Sequence, residues 1–233
     1  MLAKLFPLVL SVLFLAGCQT VDQNQVPESW AVLSWDGDDY GIKDRPDQSL
    51  SSPSPPASEW WADIDYDGDK ERTVLENNRI SVAKNGQIFW QTDPAWQVGN
   101  VIIDDLNQDG EIEINFSVEK IRGEYRANRL FKESNDWTSC FYIYKWRDGA
   151  IRPAWLSSPL DEPIHQTVAH DLNQDNKKEL VVLEKDQLHE DYAQYISVWS
   201  WYGWGFSNDW RSEEGEFADM VVVENKIWIE IGK

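Results

Sequence analysis

Asp105, Asn107, Asp109 and Glu113 stand at positions one, three, five and nine of a short oxygen-rich turn, with Gly110 at six. Alternate side chains of a tight loop can point at one centre. Calcium seeks about six to eight such hard oxygens. The spacing recurs as Asp63, Asp65, Asp67 and Glu71 around Gly68, and again as Asp171, Asn173, Asp175 and Glu179. Glycine at six permits a positive φ. In the third turn Asn176 takes that place, and asparagine also visits the left-handed region. The chemistry expected is calcium binding, with the third site weaker because Lys177 and Lys178 stand among its acids. The alternative is a set of acidic hairpin turns closed by Asx-type hydrogen bonds without metal. A helix–loop–helix calcium site does not fit. Its twelfth position needs a bidentate Glu, and here that position holds Val74, Phe116 or Val182.

The elements that must position these turns read as strands. Val101, Ile102 and Ile103 enter the second loop, and Ile112, Ile114, Phe116 and Val118 leave it in strict alternation, the period of a strand. After the first loop come two further runs, Arg79 to Ala83 and Gln87 to Gln91, around Asn85-Gly86, a hairpin turn pair. FYIYKWRDGAIRPAW and YISVWSWYGWGF supply matching outer pairs for the second and third loops. The loops start 42 and 66 residues apart, counted from Asp63 to Asp105 and on to Asp171. Four-strand repeats at such periods predict propeller blades. The chain ends in two strands, EFADMVVVEN and KIWIEI, that lack an outer pair. Near its start WAVLSWDGDDYGI looks like an outer pair that lacks an inner one. Joined, they predict an all-β, small β-propeller with four blades, one closed by the N- and C-terminal strands, which hides sheet edges. An open or incomplete ring that pairs with a second chain is the other arrangement.

The three loops resemble the calcium loops of FG-GAP and VCBS repeats, the integrin-alpha type of propeller. The resemblance covers nearly all of the chain after residue 58. It implies calcium ligands from the side chains at positions one, three, five and nine. It also implies a backbone carbonyl at seven, which would be that of Asp69, Glu111 or Lys177. This chain departs from the pattern with Glu at nine where Asp is commoner, and with the third loop's missing glycine.

Residues 1–17 read as a processing segment: Lys4, then the apolar run Leu5 to Leu15, too short for a transmembrane helix. Leu15-Ala16-Gly17-Cys18 resembles the lipobox of bacterial lipoproteins. That implies an acylated Cys18 as mature N-terminus, inserted in the lipid bilayer. Gln19 at the next position implies sorting to the outer membrane if the source is Gram-negative. Residues 18–29 form a lipidated tether, 30–233 the propeller domain, and 44–58 a Pro/Ser-rich linker within it. With Cys18 lipidated, Cys140 has no partner, and it reads as a buried structural thiol. A net charge of -20 repels phosphate backbones, so nucleic acid is not an expected partner.

Repetition breaks in an insertion at 119–139. Its Lys120, Arg122, Arg126, Arg129 and Lys132 gather positive charge in an acidic chain, which suggests an arm for an acidic partner, glycan or lipid headgroup. Among fourteen tryptophans, most are expected to wedge between blades. Trp204 and Trp210, which flank turns, are expected to be exposed and free to contact a partner. No nucleophile elbow, HExxH or phosphate loop is present, so no catalytic residue is assigned. The function these features imply is a membrane-tethered, calcium-stabilised interaction module of the bacterial envelope that binds a protein or glycan. The alternative is a carboxylate-dependent hydrolase acting on an envelope carbohydrate polymer.

Overall fold

A computed structural model describes residues 30–44, 58–121, 137–185 and 192–232. The processing segment, the tether, most of the Pro/Ser-rich linker and most of the insertion lie outside the described residues. The described chain is all-β, with sixteen strands.

The first hairpin is β1 (Trp30–Trp35) and β2 (Tyr40–Lys43). Asp36 closes it as an Asx turn, its Oδ1 accepting the N–H groups of Asp38 and Asp39 at 3.0 Å each. Three meanders follow. The first is β3 (Glu59–Ala62), β4 (Glu71–Glu76), β5 (Arg79–Lys84) and β6 (Gln87–Gln91). The second is β7 (Gln97–Asp104), β8 (Glu113–Ile121), β9 (Trp137–Arg147) and β10 (Ala150–Leu156). The third is β11 (Ile164–His170), β12 (Glu179–Glu184), β13 (Tyr195–Trp201) and β14 (Phe206–Arg211). Each is one four-stranded antiparallel sheet in sequence order. The final hairpin, β15 (Phe217–Val223) and β16 (Lys226–Ile231), joins the first in a composite sheet of order β15-β16-β1-β2. There β1 runs antiparallel to β16, Trp30 facing Glu230 and Leu33 facing Ile227.

Inner strands are buried on both faces because their alternate residues enter different cores. In β12, Val181 and Leu183 enter a core shared with Leu33, Met220 and Ile229 of the composite sheet. Leu180 and Val182 point the other way, into a core with Phe141 and Ile164 that joins the second and third meanders. A further core, with Val82, Phe116 and Tyr142, joins the first and second meanders. Buried, unpaired Cys140 belongs to it. The far face of the composite sheet holds Trp30, Val32 and Trp228 in a cluster of its own.

Side-chain amides stitch the leading strands. Gln166 of β11 donates Nε2–H to the Met220 carbonyl at 2.7 Å and accepts the Met220 N–H at 2.8 Å. Asn100 of β7 donates Nδ2–H to the His165 carbonyl at 3.3 Å and accepts the Thr167 N–H at 3.2 Å. Met220 is 1% exposed and its N–H keeps a second acceptor in Asp219 Oδ1 at 2.7 Å, so Gln166→Ala strands the Met220 carbonyl and is expected to cost about 1 kcal/mol. Urea unfolding measures this. An unchanged midpoint would show that the amide does not hold the sheets together.

The insertion is narrower than 119–139. β8 and β9 stay paired to Ile121↔Trp137, so its two ends are ladder residues and only 122–136 remain outside.

Candidate metal centre

Each acidic loop connects the first two strands of a meander, and the three have one backbone pattern. Position one accepts the N–H of position six: Gly68 to Asp63 at 3.0 Å, Gly110 to Asp105 at 2.9 Å, Asn176 to Asp171 at 3.0 Å. Position three accepts the N–H of position five, on Asp65, Asn107 and Asn173. Position five accepts the N–H of position seven, on Asp67, Asp109 and Asp175. The Glu at nine reaches back to the N–H of position two: Ile64 to Glu71 at 2.7 Å, Leu106 to Glu113 at 3.0 Å, Leu172 to Glu179 at 2.8 Å. The Asx-type hydrogen bonds of the metal-free alternative are therefore present, and they are compatible with either reading. Asn176 adopts φ 66°, the left-handed conformation expected of it.

Two features of the loops carried no readable signal. Position four is also left-handed, at Tyr66, Gln108 and Gln174. Position two is an anchor: Ile64 and Leu106 are fully buried in the cores between meanders. Loop conformation is thereby tied to core packing.

Carboxylate oxygens of Asp63, Asp65 and Glu71 lie within 4.8 Å of one another, as do those of Asp105, Asp109 and Glu113. These two groups could hold a metal ion. Glu71 and Glu113 are fully buried; Glu113 Oε1 and Asp63 Oδ1 have no hydrogen-bond donor, while Glu71 Oε1 faces the Lys84 ammonium at 3.0 Å. All-oxygen donors of this kind suit a hard cation rather than a soft one. Burial pushes Glu113 up to about 8 and Glu179 up to about 7, and neighbouring loop aspartates push the same way. Both are groups that a cation would hold ionised.

The third loop is arranged differently. Asn173 and Glu179 face a cavity of about 380 Å³ shared with Trp35, Tyr40, Tyr202 and Asp209. Lys178 turns away from it to pair with Asp104 beside the second loop. Lys177 also lines the cavity.

Two lysines unforeseen in the sequence enter the other loops from the strand across the hairpin. Lys84, at the end of β5, lies 2.7 Å from Asp65 and 3.0 Å from Glu71, and also pairs with Asp67. Lys145 of β9 lies 2.5 Å from Asp109 and 2.6 Å from Glu111. The Lys84 hydrogen bond lowers the Asp67 carboxyl. Burial tends to raise Asp109, but the Lys145 hydrogen bond and the Glu111 N–H outweigh it and leave it lowered. Each lysine gives its loop a resident positive charge. Tyr66 adds a bridge between loops, its hydroxyl accepting the Ile112 N–H.

The proposed partner residues separate. Trp204 is 78% exposed. Trp210 corrects the expectation from sequence: it sits inside β14 opposite Val198, half-buried against the core of the third meander and composite sheet. Lys120 corrects it too. Its ammonium folds over the rings of Tyr142 and Trp96, 4.8 and 5.6 Å from their centroids, and donates to the Tyr142 hydroxyl. That cation–π seat removes it from any protruding arm. Arg122, Arg126, Arg129, Lys132 and Cys18 lie outside the described residues. His165 and His170 sit in β11 and reach the carbonyls of Ala218 and Asn225. Compared with known proteins, the chain matches no family model and no curated sequence.

Proposed function

We propose that the protein is a lipid-anchored interaction module of the bacterial envelope, a four-bladed propeller of the FG-GAP/VCBS type stabilised by calcium. The observation that carries this reading is the repeated loop: three strand–loop–strand units with one hydrogen-bond pattern, each at the leading edge of a four-stranded meander. The composite sheet is the fourth blade. The Trp30, Val32 and Trp228 face is already buried, as a closed ring requires. Calcium fills the first two loops, where buried carboxylate oxygens lack donors, and fills the third more weakly. Its role is to hold strands in place. The partner is a protein or glycan of the envelope.

Anchoring is tested by Cys18→Ser. The wild-type chain is expected in the membrane fraction and the variant in the soluble one. A variant that still sediments with membranes would overturn the lipid anchor. In-cell crosslinking of the wild-type chain tests the interaction role, and absence of any crosslinked envelope partner would overturn it.

A further inference from the structure

A cleft of about 570 Å³ opens between the second and third meanders, within the size range of small-molecule sites. It is built apart from the three acidic loops. Its walls are aromatic. Phe206 meets Phe141 edge-to-face at 5.9 Å and Trp155 at 5.7 Å. Gly205 lies so close to Trp155 that a Cβ there would stand 3.1 Å from the indole nitrogen. The indole is therefore held in place.

A hydrogen-bonded chain runs along the cleft. Trp199 donates Nε1–H to Ser197 Oγ at 2.6 Å, and Ser197 donates to Glu184 at 2.5 Å. The other Glu184 oxygen pairs with Arg211 at 2.6 Å. Arg211 is seated on the Tyr195 ring, 3.8 Å from its centroid. Glu184 is 8% exposed, whereas Arg211 and Asn208 reach solvent at the cleft. Asp161 and Glu162 also line it.

We propose that this cleft binds a neutral saccharide. The proposal rests on the reading of the protein as an envelope interaction module and specifies its ligand. Aromatic walls suit the C–H face of a sugar ring, which is apolar on that side and hydroxylated at its edge. A guanidinium beside a carboxylate offers donors and acceptors side by side, the pattern that neighbouring hydroxyls satisfy. A wholly apolar ligand would strip water from Arg211 and Asn208 without replacing its hydrogen bonds. An anionic ligand would meet Asp161, Glu162 and Glu184. A concave cleft with few convergent polar groups fits a small ring better than a flat protein face. Packing holds the polar chain before any ligand arrives, as a precise site requires.

The test uses the full-length acylated protein in detergent. Cellobiose, maltose, lactose and diacetylchitobiose are titrated, read by tryptophan fluorescence and by saturation-transfer NMR. At least one is expected to bind saturably. Arg211→Gln and Asn208→Ala should weaken that binding about tenfold to a hundredfold, the effect of losing a hydrogen bond at a charged or desolvated site. Arg211→Gln leaves Glu184 without its cation and Asn208→Ala frees the Val198 and Trp210 carbonyls, so both should also melt lower, and binding is read well below each variant's melting temperature. Trp155→Leu should remove the fluorescence response to sugar. If none of the four sugars binds at millimolar concentration, or binding survives Arg211→Gln, the assignment is overturned. The two readings fail separately. Silent sugars with intact envelope crosslinks sink the cleft alone, and loss of both sinks the interaction role as well.

Discussion

Calcium added to chelator-treated protein is expected to raise its melting temperature by roughly 10–20 °C. The argument is mass action. A ligand that binds only the folded state stabilises it by about 2.7 kcal/mol when present at a hundred times its dissociation constant, so two loops add about 5. In a chain of this size each kcal/mol moves the midpoint by roughly 2–4 °C. Magnesium should substitute poorly, because it demands a smaller and more regular oxygen cage. Glu113→Gln removes the charge of a fully buried candidate ligand in the second loop while leaving an acceptor for the Leu106 N–H. It should forfeit about half the calcium shift. A melting curve indifferent to calcium and chelator would refute the metal reading, while the loops would still stand as Asx turns.

Lys145→Met is expected to destabilise the metal-free protein and to strengthen its binding of calcium. The Lys145 side chain is 9% exposed and sits between Asp109 and Glu111, which are 37% and 47% exposed. Removing a buried partner leaves uncompensated charge, which costs about 3–5 kcal/mol when both groups are buried. Half-exposed carboxylates are partly screened, so about 2 kcal/mol is expected in the metal-free protein. With calcium present the variant should recover, because the ion supplies the charge and no longer displaces an ammonium. Its calcium affinity should exceed that of the wild type, measured by calorimetry. Lys84→Met should behave alike at the first loop. If Lys145→Met binds calcium no better than wild type, the lysine is not a competitor for the site.

The strand–loop–strand units, the hairpin turns at Asn85-Gly86 and Asp148-Gly149, and the composite sheet were legible because each follows from local spacing. Alternation of Ile112, Ile114, Phe116 and Val118 marks a strand whatever surrounds it. Lys84 and Lys145 were not legible, since they meet their loops only when the hairpin brings a distant strand alongside. Gln166 in its strand and Tyr66 in its loop likewise act between sheets, and neither residue type carries a mark of that role in the sequence. The misplacement of Trp210 has a related cause. Proximity to a turn suggested exposure, but strand parity turned its ring to the core. Lys120 was counted as an arm charge because its aromatic seat is assembled from Tyr142 of β9 and Trp96 in the turn before β7.

The composite sheet also sets an order of events in time. β1 is among the first strands to leave the ribosome, yet one of its two ladders belongs to β16, whose last residues lie at the far end of the chain. Until β16 is made, β1 has only its short hairpin with β2, and a lone hairpin is marginal in water. Closing so long a loop is slow. The composite sheet therefore completes last, and a product truncated before β16 leaves Trp30, Val32 and Leu33 without a strand that helps bury them. Exposed residues of that kind invite proteolysis and aggregation. Pairing β1 with β16 makes the first strand of the fold depend on the last of the described strands.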